Sequence, residues 1–143
     1  MGYPMTTLNF KVGWGDTTSS FSEVSGLTME AETVEYRGGA HTERTVQKLP
    51  GLRKYGSVTL KRGIVPEAGA GLFRWFAQVQ AGGEFRRVVT VTLCNEQQEN
   101  VMTWTIKNAW PVKLEGPGLK ATGTEVAVES LEIAHEGITV SIP

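Results

Sequence analysis

Apolar side chains along this chain recur mostly at every second position. Leu8, Phe10, Val12 and Trp14 alternate with Asn9, Lys11 and Gly13, the pattern of a strand with one buried face. Gly15-Asp16 then turns the chain, and Phe21 and Val24 lead through Ser25-Gly26 into a long strand ending at Tyr36. Within that strand Leu27, Met29 and Ala31 hold odd positions, whereas Val34 and Tyr36 are even. One residue of register is gained near Glu32-Thr33, which predicts a β-bulge or bend. Val58, Leu60 and Ile64, set against Thr59 and Lys61, predict the next strand. Further strands are expected over Arg87–Asn95, Val101–Leu114, Thr124–His135 and Ile138–Ile142, separated by polar or glycine-bearing turns. In the second of these, Met102, Trp104, Ile106, Trp110, Val112 and Leu114 are all even and should share a face.

The period changes once. Leu72, Trp75, Phe76 and Val79 follow i, i+3, i+4, i+7 and predict a helix from Leu72 to Gln80, entered after Pro66 and closed by Gly82-Gly83. Those four residues are its expected core stripe, packed on the protomer's own barrel. The fold class that follows is mainly β: an antiparallel barrel or sandwich of six to seven strands with one flanking helix. No repeat or linker divides the 143 residues, so a single domain over 1–143 is expected.

One segment fits no element. Arg37 to Gly56 is polar and mostly basic, carries Pro50 and several glycines, and is too long for a tight hairpin turn. Loops beyond about 12–15 residues without structure of their own are usually functional or disordered. An ordered one needs another surface to lie on, which points to assembly. Arg37, Arg44, Lys48, Leu49, Pro50, Leu52, Arg53, Lys54 and Tyr55 are its expected contacts with a neighbouring subunit. The cations of this region, with Lys61 and Arg62, also suit phosphate contacts. Glu43 interrupts them, however, and contact between copies of one protein is the better use.

Composition is that of a globular protein, with 40% hydrophobic and 20% charged residues and a formal net charge of −1. No whole-chain field draws nucleic acid or an anionic membrane. The lone Cys94 excludes an internal disulfide and a multi-cysteine metal site, and its place in a strand suits a buried thiol. MGYPMTTLNF has no basic start followed by an apolar run, so synthesis in the cytoplasm is expected, and no stretch approaches a membrane span. His41 and His135 lack paired-ligand spacing, and His135 and Glu136, adjacent on a strand, point to opposite faces. Gly69 and Gly71 precede the helix without a phosphate-gripping Gly-Lys-Ser/Thr, and Asp16 is the sole aspartate. Neither catalytic residues nor a cofactor or metal site emerges, and the chain reads as a non-enzyme.

Glu30, Glu32, Thr59, Lys61, Thr103 and Thr105 stand opposite apolar neighbours on their strands. Such polar faces are either solvated or line a shared aqueous channel in an oligomer.

The order and spacing of several segments carry a family resemblance. YPMTTLNFKVGW, FSEVSGLTMEAETVEYRGG, KLPGLRKYGSVTLKRGI, LFRWFAQVQ, VTLCNE and MTWTIKNAWPVKLEGPGLKATGTEVAVESLEIAHEGI together resemble the tail-tube proteins of contractile phage tails and phage-derived contractile injection systems. These are similar in fold to the Hcp proteins of type VI secretion. The resemblance spans Tyr3 to about Val140; only the Gly/Ala-rich PEAGAG before the helix departs from it. It implies hexameric rings whose strands join into one barrel, stacked into a tube inside a contractile sheath. It also implies partners (sheath, baseplate and spike, tail terminator), cargo protein or phage DNA in the lumen, and no membrane insertion. The assembled particle would be a phage tail or a released injection device. On that reading the six polar residues above face the lumen. An Hcp-like effector carrier would share the fold, and a small hydrolase or ligand-binding barrel is the alternative from another class.

Overall fold

The alternating strands pack into two layers that share one long, bent strand. The computed structural model describes residues 9–14, 17–19, 21–39, 46–64 and 71–142. Leu8, the Gly15-Asp16 turn, His41, Glu43, Arg44, Pro66 and Gly69 lie outside these. In chain order the elements are β1 (Phe10–Trp14), β2 (Thr17–Ser19), β3 (Glu23–Ser25), β4 (Met29–Tyr36), β5 (Gln47–Tyr55), β6 (Val58–Gly63), α1 (Gly71–Ala81), β7 (Arg87–Cys94), β8 (Asn100–Glu115), β9 (Val128–Ala134) and β10 (Gly137–Ser141). Among the described residues, eight strands run β2-β1-β7-β8-β9-β6-β3 with β10 added along β8, while β4 pairs with β5. The sheet is not closed into a barrel. It is an antiparallel sandwich.

β8 makes the sandwich by changing partners. Its first half pairs with β7 and β10, and its second half with β9. At the corner Asn108 takes φ 50°, a left-handed conformation that asparagine tolerates, and its amide donates to Glu136 at 2.7 Å. The register against β7 slips there, with Val89 opposite Ile106 but Arg87 opposite Ala109. This extra residue corrects the single face expected for Val101–Leu114. Ile106 is buried, but beyond the corner Ala109 and Pro111 point inward, leaving Trp110 half-buried and Val112 exposed. A second slip, between Pro111 and Lys113, returns Leu114 to the core.

Cross-strand rows explain the core. In the first layer Trp14, Val89, Ile106 and Ile138 form one inward row, and Val12, Val91, Trp104 and Val140 the next. In the second, Val24, Leu60, Leu131 and Leu114 face them beside Val58 and Ile133. The members of both rows that are buried form a single apolar cluster. Burying each such side chain contributes about 1.5–3 kcal/mol.

The helix closes one end of this core. Leu72 and Trp75 are buried; Phe76 and Val79 are half-buried, since they sit toward the rim of the stripe. Trp75 stacks on Trp14 with ring centroids 6.1 Å apart, and its indole N–H donates to the Phe85 carbonyl at 2.7 Å. Gly82, at φ 79°, ends the helix in the left-handed conformation that glycine adopts without strain.

Arg62 is the one buried charged side chain among the described residues. Its Nε donates to Glu129 Oε1 at 2.6 Å, and the guanidinium lies 5.4 Å from the Phe21 ring centroid.

Candidate assembly surfaces

The segment expected to be a loop contains a strand. β5 occupies Gln47–Tyr55 and pairs with β4 along its length, so β4 and β5 form a two-stranded ribbon standing off the sandwich. The ribbon prolongs β3 and β6, which pair in the same antiparallel sense. Gly26 marks the junction: it has φ 90°, and a Cβ there would lie 2.2 Å from the Ser57 carbonyl oxygen. Pro50 is tolerated because the ribbon has no third strand among the described residues to demand its missing N–H.

The expected bulge lies at this level, but the extra residue belongs to β5. Ala31 opposes Arg53 and Thr33 opposes Pro50, so Gly51 and Leu52 together stand against Glu32. β4 therefore alternates without interruption. Met29, Tyr55 and Ala31 occupy one face near the base, while Val34, Leu49 and Tyr36 occupy the other face near the tip. The apolar side of the ribbon changes face along its length. At the tip Val34, Tyr36 and Leu49 are 47%, 55% and 48% exposed, and Leu52 at the bulge is 76% exposed. Among the described residues β4 and β5 pack chiefly on each other and meet the sandwich at the base, where Tyr55 packs against the core.

His135 latches the base. Its Nδ1 accepts from the Gly137 N–H at 3.2 Å, so Nε2 carries the proton and donates to the Gly56 carbonyl at 2.9 Å. The ring lies 5.6 Å from Tyr55, which packs against the core. This role was hidden in sequence because Gly56 and His135 are far apart along the chain.

The two layers present different outward faces. On the first, Thr90, Thr105 and Thr139 form one row and Thr92, Thr103 and Ser141 the next, with Thr92 and Thr103 hydroxyls 3.4 Å apart. The second is charged: Thr59, Glu132 and Lys113 form one row, and Glu23, Lys61, Ser130 and Glu115 the other. Lys61 lies 3.5 Å from Glu23, and Lys113 lies 3.6 Å from Glu115. The six polar residues singled out from sequence thus fall on three surfaces: Glu30 and Glu32 on the ribbon, Thr59 and Lys61 on the charged face, Thr103 and Thr105 on the hydroxyl face.

Among the described residues several of the basic side chains are matched by acidic ones. Lys54 pairs with Glu32 at 2.6 Å, Lys48 stands opposite Glu35, and Arg62 is buried against Glu129. Burial lowers the Arg87 pKa; its guanidinium lies over Trp75 and donates to Gln78. Among the described residues no three His, Cys, Asp or Glu side chains converge to hold a metal ion, and no helix is long and apolar enough to cross a membrane.

Comparison with known proteins agrees with an assembly role. A chain of the anti-feeding prophage cap (the AFP tube-terminating cap) superposes with TM-score 0.89 at 30% identity, covering 100% of this chain and 94% of that one. A chain of the PVC sheath–tube complex, from an extracellular contractile injection system in its extended state, gives TM-score 0.88 at 30% identity, covering 99% and 93%. Hcp1 from Flavobacterium johnsoniae shares the fold, with TM-score 0.58 at 13% identity over 94% of this chain and 95% of that one. No curated protein matches by sequence. The family of the T4-like virus tail tube protein gp19 matches residues 6–139. This chain belongs to that tail tube family.

Proposed function

We propose that this protein is the inner-tube subunit of a contractile injection system, a structural component without a catalytic step. Six copies form a ring, rings stack into a hollow conduit, and a sheath surrounds it. Baseplate and terminator proteins close its ends, and cargo occupies the lumen. The observation that carries this reading is the tube family match over residues 6–139, joined by whole-chain similarity to a chain of a sheath–tube complex. The ribbon supports it physically, since its tip is apolar and exposed among the described residues, and a neighbouring copy would cover it.

The charged outward face is the better lumen wall. It runs directly into the ribbon through the β3–β4 and β5–β6 connections, so Glu30, Glu32, Thr59 and Lys61 can line one continuous surface. Thr103 and Thr105 lie on the opposite side of the sandwich. Acidic and basic side chains alternate on the charged face, giving a wetted bore without a strong field of one sign. Electron microscopy of the purified protein tests the assignment: stacked hollow rings are expected, and particles that stay dispersed across concentrations and salts would refute it.

A further inference from the structure

The ribbon joins the sandwich through a narrow waist. Its two connections, β3 to β4 and β5 to β6, pass each other at close quarters. A Cβ on Gly26 would lie 2.2 Å from the Ser57 carbonyl oxygen, and one on Gly56 would lie 3.0 Å from the Thr28 hydroxyl. Two chains side by side fix the distance of the ribbon from the sandwich far better than its angle. The angle meets a constraint at the β9–β10 corner. There His135 Nε2 donates to the Gly56 carbonyl at 2.9 Å, Nδ1 accepts from the Gly137 N–H at 3.2 Å, and the Tyr55 ring lies 5.6 Å from the imidazole. From this geometry we infer that the β9–β10 corner is the joint that sets the inclination of the ribbon, with His135 as its positioning residue. The inference rests on the tube reading only for its consequence, that a ribbon held at the wrong angle cannot meet a neighbouring copy.

The corner suits this role because it is itself clamped from the other side. Its two neighbouring residues divide the contacts: His135 reaches the ribbon, and Glu136 reaches the bend of β8. The Glu136 N–H donates to the Lys107 carbonyl at 2.9 Å, and its carboxylate accepts from the Asn108 amide at 2.7 Å. Arg86, a few residues beyond α1, lies 3.9 Å from the same carboxylate. The root of the ribbon is thereby tied to the place where β8 changes partners. Leverage gives that tie its importance. The eight residues of β4 reach about 26 Å at roughly 3.3 Å per residue, so a swing of about 10° at the waist carries the tip through about 4–5 Å. Packed atoms lose a quarter to a half of their attraction to a gap of about 0.5–1 Å, so even a small swing would spoil a contact made at the tip. His135 is half-buried and lies outside the apolar core cluster, so the core does not depend on it.

Two substitutions separate the halves of the joint. In His135→Gln the side-chain amide can still donate to Gly56 from the place of Nε2. In His135→Asn the shorter amide can accept from Gly137 but falls short of Gly56. Spin labels on Lys48→Cys and Thr139→Cys, both exposed positions, report the ribbon angle as a distance distribution in dilute, dispersed protomers. Native Cys94 is buried and stays unlabelled. The chain with native His135 and the His135→Gln variant are expected to give one narrow distribution and equal yields of tubes. His135→Asn should broaden the distribution at least about twofold and lower tube yield about tenfold, the scale of one lost hydrogen bond, with the unfolding midpoint unchanged. A narrow distribution in His135→Asn, or an equally broad one in His135→Gln, would overturn the joint. Broadening with undiminished tubes would overturn its link to assembly. An unmutated chain that never assembles would overturn the tube reading, and the distance distributions would still decide the joint.

Discussion

β6 and β4 are strands of similar length and alternation, yet they live in different physical worlds. Along β6, Val58, Leu60 and Arg62 are buried while Thr59 and Lys61 look outward, because β3 and β9 flank it and the first layer covers it. Along β4 every residue is exposed, including Met29, Val34 and Tyr36. The apolar side chains of β6 are explained within one protomer; those of β4 are not. Hydrophobic pattern reports that a face is to be covered. It does not report by which molecule.

The largest effect separating these regions is expected in the sandwich. Trp75→Ala should cost roughly 3–5 kcal/mol, because it opens a cavity against Trp14 and strands the Phe85 carbonyl. Denaturant unfolding of the protomer would measure it. A variant that keeps its midpoint and loses only rings would place α1 at an interface instead.

Next comes the buried ion pair. Glu129→Ala should destabilise by about 3 kcal/mol, the low end for breaking such a pair, since Arg62 is 7% exposed but Glu129 is 22% exposed. Replacing both residues together, as Arg62→Met with Glu129→Leu, should recover most of that loss. Equal destabilisation in the single and double variants would show that packing, and not the orphaned charge, is responsible.

The ribbon should behave in the opposite way. Deleting Gly39–Leu49 is expected to leave a folded protomer that no longer assembles, and normal tubes from this deletion would contradict the ribbon's role. Leu52→Asp should change protomer stability by no more than about 0.5 kcal/mol, as for other surface positions, while weakening assembly. Sedimentation alongside thermal unfolding separates the two readouts.

Much of this contrast was legible beforehand, and the misses have physical causes. The strands with one apolar face and the helix with its Leu72 and Trp75 anchors follow from periodicity, whereas the bulge expected within β4 near Glu32 falls on β5 opposite it. β5 was hidden because Lys48, Pro50, Gly51 and Arg53 resemble a loop. Only pairing with β4 makes them a strand, and pairing is not a local property. The corner at Asn108 was hidden for a similar reason: a bulge reverses every later side chain without changing the spacing of apolar letters. Val34 and Tyr36 on even positions were the one early sign that the ribbon's apolar side changes face.

Labelling sharpens the lumen assignment and carries the smallest effect on stability. In assembled tubes Thr59→Cys should be shielded from bulky thiol reagents excluded from the bore. Rapid, complete labelling there would remove the charged face from the lumen.

Hydrogen exchange, compared between dispersed protomers and assembled tubes, tests the central claim most directly. Amides of β6 and β9 should be protected in both states, because their ladder is buried within one chain. Those of β4 and β5 should exchange rapidly in the protomer and become protected in the tube. Equal exchange of the ribbon in both states would contradict the claim that a neighbouring copy covers it.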